Sequence, residues 1–295
     1  MKIIITGSTG NISKPLAGNL IRNGHDVTII SSNAEKASAI EQLGAKAAIG
    51  NIQDVDFLTK TFTGADVVYT MVPPNFSAAE YRNYIAGVGR NYIAAIKKSG
   101  VKRIVNLSSI GAHLPAGTGP VKGIHDVEQL MNTLDGVSVL HVRPGFFYYN
   151  LLGNIDLIKH SGIMGSNYGE HTTLVLVHPV DIADAITEFI QQPFEGKSFR
   201  YVASDLRSTD EIARVIGEAI GKTDLPWIDF SDENALEGLQ KAGLPPEIAN
   251  NYVEMGSAVR SGILFEDFMK QKPALSKIRL EQFAKEFAEA YKQKS

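Results

Sequence analysis

Between the β-branched run Ile3-Ile4-Ile5 and a helix-like stretch from about Asn11 to Asn23 lies Thr6-Gly7-Ser8-Thr9-Gly10-Asn11-Ile12-Ser13. A glycine at a strand end permits a tight turn, and a second one lets the backbone come close to a bulky anion. The first turn of the following helix adds unpaired amides and the positive end of its dipole. Set inside a βαβ unit that opens the chain, these properties suit a pyrophosphate and point to a dinucleotide.

The rest of the chain continues the rhythm. Gly24 and Gly44 close helix-like segments, as glycines just past a helix end do. Strand-like runs follow at Val27–Ile30, Ala45–Ile49, Val67–Met71, Arg103–Leu107 and Val137–Val142. Helix-like stretches at Ala34–Leu43, Val55–Phe62, Ala78–Lys98 and about Ile124–Leu134 separate them. Such alternation predicts an α/β fold of the Rossmann type, a doubly wound parallel sheet covered on both faces. After Arg143-Pro144 the pattern changes to an aromatic cluster, Phe146-Phe147-Tyr148-Tyr149. Strand-like Thr173–Val177, helix-like Pro179–Gln191 and strand-like Ser198–Val202 follow, and mostly helical periodicity runs from Thr209 onward. We therefore expect a nucleotide-binding domain over residues 1–146, with residues 173–202 returning to it. Residues 147–172 and 203–295 then form a smaller, mostly helical C-terminal substrate part.

Composition removes several classes of function. With 29 basic and 32 acidic residues, the net charge of −3 leaves no electrostatic footprint for nucleic acid or an anionic membrane. The absence of cysteine excludes disulfides, thiolate nucleophiles and Cys-ligated metal. Seven histidines show no H-E-x-x-H spacing, so no metal site is expected. No apolar run approaches the roughly 18 residues of a membrane span, and no charged leader precedes the first strand, so a cytoplasmic protein is expected.

The loop spacing is similar to that of short-chain dehydrogenases, with Ser13 in place of their third glycine. Further matching stretches are Ser31-Ser32-Asn33-Ala34-Glu35-Lys36-Ala37, Gly50-Asn51-Ile52 and Gly64-Ala65-Asp66-Val67-Val68. Gly100 to Ser109, Arg143-Pro144-Gly145-Phe146-Phe147 and His178-Pro179-Val180-Asp181-Ile182-Ala183 complete the set. In this order and spacing the chain resembles, over nearly its whole length, the NmrA-like group of atypical short-chain dehydrogenases/reductases. The resemblance implies that Gly7, Ser8, Thr9, Gly10, Asn11 and Ile12 hold the pyrophosphate of NAD or NADP. It places Asn51 and Ile52 beside the adenine, where the family usually has Asp for Asn51. It places Met71, Val72 and Pro73 along the nicotinamide, with Pro144, Gly145 and Phe146 near its ring. At the end of the second strand an acidic residue would select NAD. Here Ser31-Ser32-Asn33 is neutral and Lys36 is near, so Ser32, Asn33 and Lys36 favour NADP over NAD, although Asn33 also fits a helix cap.

The catalytic residues are less defined. Ser108 or Ser109 falls where these enzymes carry a serine, but no Tyr-x-x-x-Lys follows. Relatives keep a Lys or His four residues before the glutamate matching Glu128, and here that residue is Ile124. Ser108, His125 and Lys122 are the candidates for a catalytic role, beside Tyr148 or Tyr149. Phe147, Tyr148 and Tyr149 are expected to line a substrate pocket suited to a flat ligand. The leading expectation is an NAD(P)H-dependent oxidoreductase that passes hydride to a small quinone-like or azo acceptor. A non-catalytic redox sensor with a regulatory protein partner is the alternative, and a sugar-nucleotide epimerase is a further one. A homodimer is compatible with either.

Overall fold

The computed structural model describes residues 1–294. The first half runs β1 (Lys2–Ile5), α1 (Ser13–Arg22), β2 (Asp26–Ser31), α2 (Ala37–Gln42), β3 (Lys46–Ile49), α3 (Val55–Phe62), β4 (Val67–Thr70), α4 (Tyr81–Ser99), β5 (Arg103–Leu107), α5 (Val121–Asn132) and β6 (Ser138–Pro144). Next come β7 (Phe146–Phe147), α6 (Ile155–Ser161), β8 (Met164–Ser166), β9 (Thr173–Val177), α7 (Pro179–Gln191) and β10 (Lys197–Val202). The chain ends with β11 (Asp205–Ser208), α8 (Thr209–Ile220), β12 (Trp227–Asp229), α9 (Asp232–Lys241), α10 (Pro246–Arg260), α11 (Glu266–Gln271) and α12 (Leu280–Gln293).

Seven strands form one parallel sheet in the order β3-β2-β1-β4-β5-β6-β10. Its alternating residues serve two cores. Ile3 and Ile5 pack with Leu16, Leu20 and Ile186, whereas Ile4 between them packs with Phe62, Ile85 and Tyr92. Side chains alternate across a strand, so a continuous Ile run is what a sheet covered on both faces requires. The strand order reverses between β1 and β4, the point where open α/β sheets form a crevice at their carboxyl ends.

Residues 173–202 divide between two sheets. β10 completes the large sheet beside β6, while β9 lies in a small sheet of order β11-β9-β7, antiparallel to β11. β8 and β12 pair as a third, two-stranded sheet. The Ala34–Leu43 segment is not one helix: a 3-10 turn over Ala34–Lys36 precedes α2, and the Asn33 side chain caps it by accepting from the Glu35 amide at 2.9 Å. The aromatic cluster forms the two-residue β7 and then a 3-10 turn over Tyr148–Asn154.

A polar chain crosses the middle of the large sheet. The Thr70 hydroxyl donates to Asn106 Oδ1 at 3.0 Å, Asn106 Nδ2 lies 3.1 Å from His141 Nδ1, and His141 Nε2 lies 3.0 Å from Asn132 Oδ1. Every partner is satisfied if His141 is neutral with its proton on Nε2. Desolvation first, with Arg143 and Lys197 adding, lowers the imidazole pKa to about 4 despite the opposing Glu128 charge. Because the folded value lies below the unfolded one near 6.5, the stabilisation is complete above pH ~6.5 and declines as pH falls towards ~4. The full loss is on the order of 3 kcal/mol. Urea unfolding of the native chain should weaken across that window more steeply than unfolding of His141→Gln. Parallel curves would remove His141 as the cause.

Candidate active site

The loop after β1 enters the left-handed region twice, at Gly7 (φ +89°) and at Ser8 (φ +55°). A Cβ on Gly7 would lie 2.7 Å from Ser13 Oγ and 2.9 Å from the Met71 side chain, so only glycine fits between strand and helix. Ser8 is held in its unusual conformation by its amide bond to the Ile30 carbonyl and by its hydroxyl, 3.0 Å from Ser31 Oγ. Ser13 does more than tolerate the lost third glycine. Its buried hydroxyl donates to the Thr6 carbonyl at 2.9 Å and ties the start of α1 to the end of β1.

This arrangement leaves the amides of Thr9, Asn11, Ile12 and Ser13 without a protein acceptor among the described residues. Gly10, whose Cβ position meets only the Gly7 carbonyl at 3.2 Å, keeps the approach to them open. Four free amides at a helix N-terminus behind a glycine are a fit for a pyrophosphate. Ser31 turns inward and is buried, while Ser32, Asn33 and Lys36 stay exposed at the end of β2, with no carboxylate before Glu35. Asn51 forms its own turn by accepting from the Gln53 amide at 2.9 Å, and Ile52 beside it is half-buried.

Across the switch point the Met71 amide donates to Thr6 Oγ1 at 2.8 Å, which locks the end of β4 to the end of β1. Tyr92 and Tyr84 donate to the carbonyls of Met71 and Pro73, so the Met71-Val72-Pro73 segment runs along the crevice in a fixed course. On the other side β6 ends in Pro144, and Gly145 presses against β9: a Cβ there would lie 2.4 Å from the Val175 carbonyl. Phe146 and Phe147 follow it and line the crevice.

A cleft of about 380 Å³ opens here, bounded by Val72, Phe76, Tyr81, Ile124, Phe147 and Met255 among others. None of its lining side chains is charged. α5 presents Val121 and Ile124 to it, so Ile124 stands in the wall where the NmrA-like resemblance has Lys or His. Gly123 sets this helix close to α4, since a Cβ there would come 2.8 Å from Ile85 Cβ.

The residues singled out for proton transfer lie elsewhere. His125, one step of about 100° further round the helix, is absent from the cleft wall, and its Nδ1 lies 2.8 Å from the Ala112 carbonyl. Lys122 is paired with Glu254 of α10 at 2.5 Å. Ser108 is buried and its hydroxyl donates to Glu128 at 2.5 Å, while its neighbour Ser109 lines the cleft. Glu128 in turn takes two bonds from Arg143, at 2.9 and 2.6 Å. Burial disfavours the Arg143 charge, but the Glu128 bonds outweigh it and hold the guanidinium pKa above its ordinary value.

Tyr148 and Tyr149 correct the pocket reading. Tyr148 is fully buried and stacks on Phe283 of α12, with ring centroids 5.0 Å apart, and Tyr149 donates to Glu286 of the same helix at 3.2 Å. Both belong to the C-terminal core, together with the Phe283 and Phe287 stripe. The phenols that do line the cleft are Tyr81 and Tyr252. Burial first, then their proximity to one another, pushes Tyr81 up to about 12, and burial raises Tyr252.

α10 carries Tyr252 and Met255 over the cleft and is held there from three sides. Gly119 (φ +58°) lets it approach so closely that a Cβ would sit 1.9 Å from the Asn251 carbonyl. The Lys122–Glu254 pair and a bond from the Tyr81 amide to Glu247 at 2.7 Å hold it further. Lys122 is therefore a positioning residue for the roof.

Fold and crevice together define a dinucleotide-binding α/β protein. Residues 7–147 match a family model described as NAD(P)H-binding, in keeping with the NmrA-like motifs. The chain is 23% identical over 254 residues to an NAD(P)H azoreductase of Xenophilus azovorans, covering 86% of this chain and 85% of the relative. Its fold is similar to an NADPH-dependent quinone oxidoreductase of Escherichia coli solved with NADPH, with TM-score 0.82 at 21% identity over 96% of this chain and 99% of that one. It is also similar to the triphenylmethane reductase of Citrobacter sp., with TM-score 0.81 at 20% identity over 98% and 100% of the two chains. Among the described residues no helix is long and apolar enough to cross a membrane, and no cluster could hold a metal ion.

Proposed function

We propose that the protein is an NADPH-dependent oxidoreductase that reduces a neutral, flat acceptor of the quinone type. The observation that carries this is the uncharged, aromatic-walled cleft at the carboxyl ends of β4, β5 and β6, whose Val72 wall follows Met71, the residue hydrogen-bonded to Thr6 at the start of the phosphate loop. Bound NADPH supplies a hydride equivalent, and a quinone that takes it up with one proton becomes the hydroquinone. The chain's residues position the acceptor: Phe147 and Ile124 offer apolar faces against which a planar ring can lie. Tyr81 and Tyr252 stay protonated at neutral pH and act as hydrogen-bond donors, not as acids that cycle. The proton then comes from water at the mouth. The named activities of the azoreductase and quinone oxidoreductase relatives support this reading.

Purified protein should oxidise NADPH when menadione is added. No oxidation with menadione, azo dyes or enones would overturn the proposal. His125→Ala should leave kcat within about twofold, while Lys122→Met should act on KM through the roof helix. A collapse of kcat in His125→Ala would restore that imidazole as the acid. For the cofactor, Ser32→Asp places a carboxylate at the end of β2, where it repels a 2′-phosphate and accepts from a ribose diol. We expect NADPH affinity to fall at least about tenfold relative to NADH, roughly 1.4 kcal/mol. An unchanged ratio in calorimetry would place the discriminating contact elsewhere.

The aliphatic Ile124 also suits a protein that reads the dinucleotide without turnover. In that case oxidised and reduced cofactor must bind with different affinity. Equal affinity removes the sensor reading.

A further inference from the structure

Behind the cleft lies a second cavity of about 630 Å³, between the 3-10 turn at Tyr148–Asn154, α6, the β8–β12 pair, α9 and α10. The two share Phe146, Asn150, Tyr252 and Met255 as walls, so they are adjacent chambers divided by those side chains. An aromatic wall leads from one to the other. Phe146 meets Tyr168 edge to face at 5.7 Å, and Tyr168 stacks on Trp227 at 6.1 Å.

Three polar side chains of this outer chamber have protein partners. Asn167 donates to Asp232 and to the Val253 carbonyl, Asn154 accepts from the Gly165 amide, and Asp156 is paired with Lys294. No lysine or arginine lines it. Trp227 is different. It is 6% exposed, and its buried indole N–H has no hydrogen-bond partner. An unpaired donor buried in the chamber wall has a cost that a ligand acceptor atom brought against the indole would remove.

We infer that the outer chamber binds the second part of the acceptor molecule: a neutral aryl group, carried on a short chain from the reducible ring, that accepts a hydrogen bond from Trp227. This rests on the reading of the inner cleft as the reduction site. With no lysine or arginine in its wall, and the Asp156 carboxylate lining it together with His160, the chamber disfavours a phosphate or carboxylate tail, and the aromatic wall favours a second ring. The joined chambers would thus select elongated two-ring acceptors over a bare quinone.

Two probes separate the chamber from the chemistry. One is para-propylanisole, a neutral ring with an ether acceptor and no reducible group. The other is menadione carrying a methoxyphenylpropyl chain, compared with menadione itself. Trp227 is the only tryptophan, so its emission reports on the chamber directly. We expect para-propylanisole to change that emission saturably. By calorimetry, Trp227→Phe should weaken its binding about tenfold. The chain should raise kcat/KM at least tenfold over menadione. Gly238→Phe, whose added ring enters a chamber position where a Cβ meets nothing within 4 Å, should bring that ratio near one and abolish the emission change.

A ratio near one in the native protein, or no emission change, overturns the inference. So does binding of para-propylanisole that is indifferent to both substitutions. If menadione is not reduced at all but para-propylanisole binds and Gly238→Phe blocks it, the reductase reading fails while the aryl chamber stands.

Discussion

Gly10→Val should weaken NADPH binding by at least about a hundredfold, on the order of 3 kcal/mol, while leaving the fold intact. Gly10 has ordinary φ, so a side chain causes no backbone strain, and its Cβ would meet only the Gly7 carbonyl at 3.2 Å. The valine methyls would instead stand in the space through which the free amides of Thr9, Asn11, Ile12 and Ser13 are reached. Calorimetric titration with NADPH and a thermal melt on the same sample separate the two effects. Undiminished affinity in a folded variant would place the pyrophosphate elsewhere. Gly7 would be a poorer test, because its positive φ and the crowding by Ser13 and Met71 make any substitution there a folding defect first.

Glu128→Ala should destabilise the protein by about 3–5 kcal/mol. Both partners of the Glu128–Arg143 pair are almost wholly buried, so removing the carboxylate leaves a buried guanidinium with only the more distant Asp267 carboxylate, at 3.8 Å, as counter-charge. It also frees the Ser108 hydroxyl and releases α5 from β6. Arg143 reaches further, stacking over the Phe199 ring at 4.1 Å and lying 3.5 Å from the Tyr201 hydroxyl, which donates to Asp267 of α11. Replacing both charges, as Glu128→Met with Arg143→Met, should recover much of the loss, because two apolar side chains need no solvation. Urea unfolding of the two single variants and the double variant measures this coupling. If Glu128→Ala unfolds at the native midpoint, the pair is not what holds α5 in place.

The cleft shows how a family pattern can be followed in outline and altered in chemistry. The helix register predicted from the spacing before Glu128 is realised, with Ile124 in the wall. His125 and Lys122 are neighbours of Ile124 in sequence but not in the cleft wall. On a helix, one residue is about 100° of rotation, and that suffices to turn a side chain out of a site. Ser108 and Ser109 divide in the same way after β5. Successive residues take different sides, so one meets Glu128 and the other the cleft.

Elements that depend on local rules are legible in the residues alone. A β-branched run buried on both faces, a glycine turn into a helix, and glycines closing helices specify the βαβ frame and its phosphate loop, because each acts within a few residues of chain. Also legible there is what is missing, the Tyr-x-x-x-Lys pair, since absence needs no geometry. Tertiary structure decided which side chains meet in the cleft. Phe147 and Tyr148 are alike in size and polarity, but a strand ends and a 3-10 turn begins between them, and their rings diverge into cleft and core. Tyr252 and Met255 come from a helix more than a hundred residues later in the chain, seated by the Gly119 contact with Asn251. Such meetings depend on packing between distant elements, which local spacing does not encode.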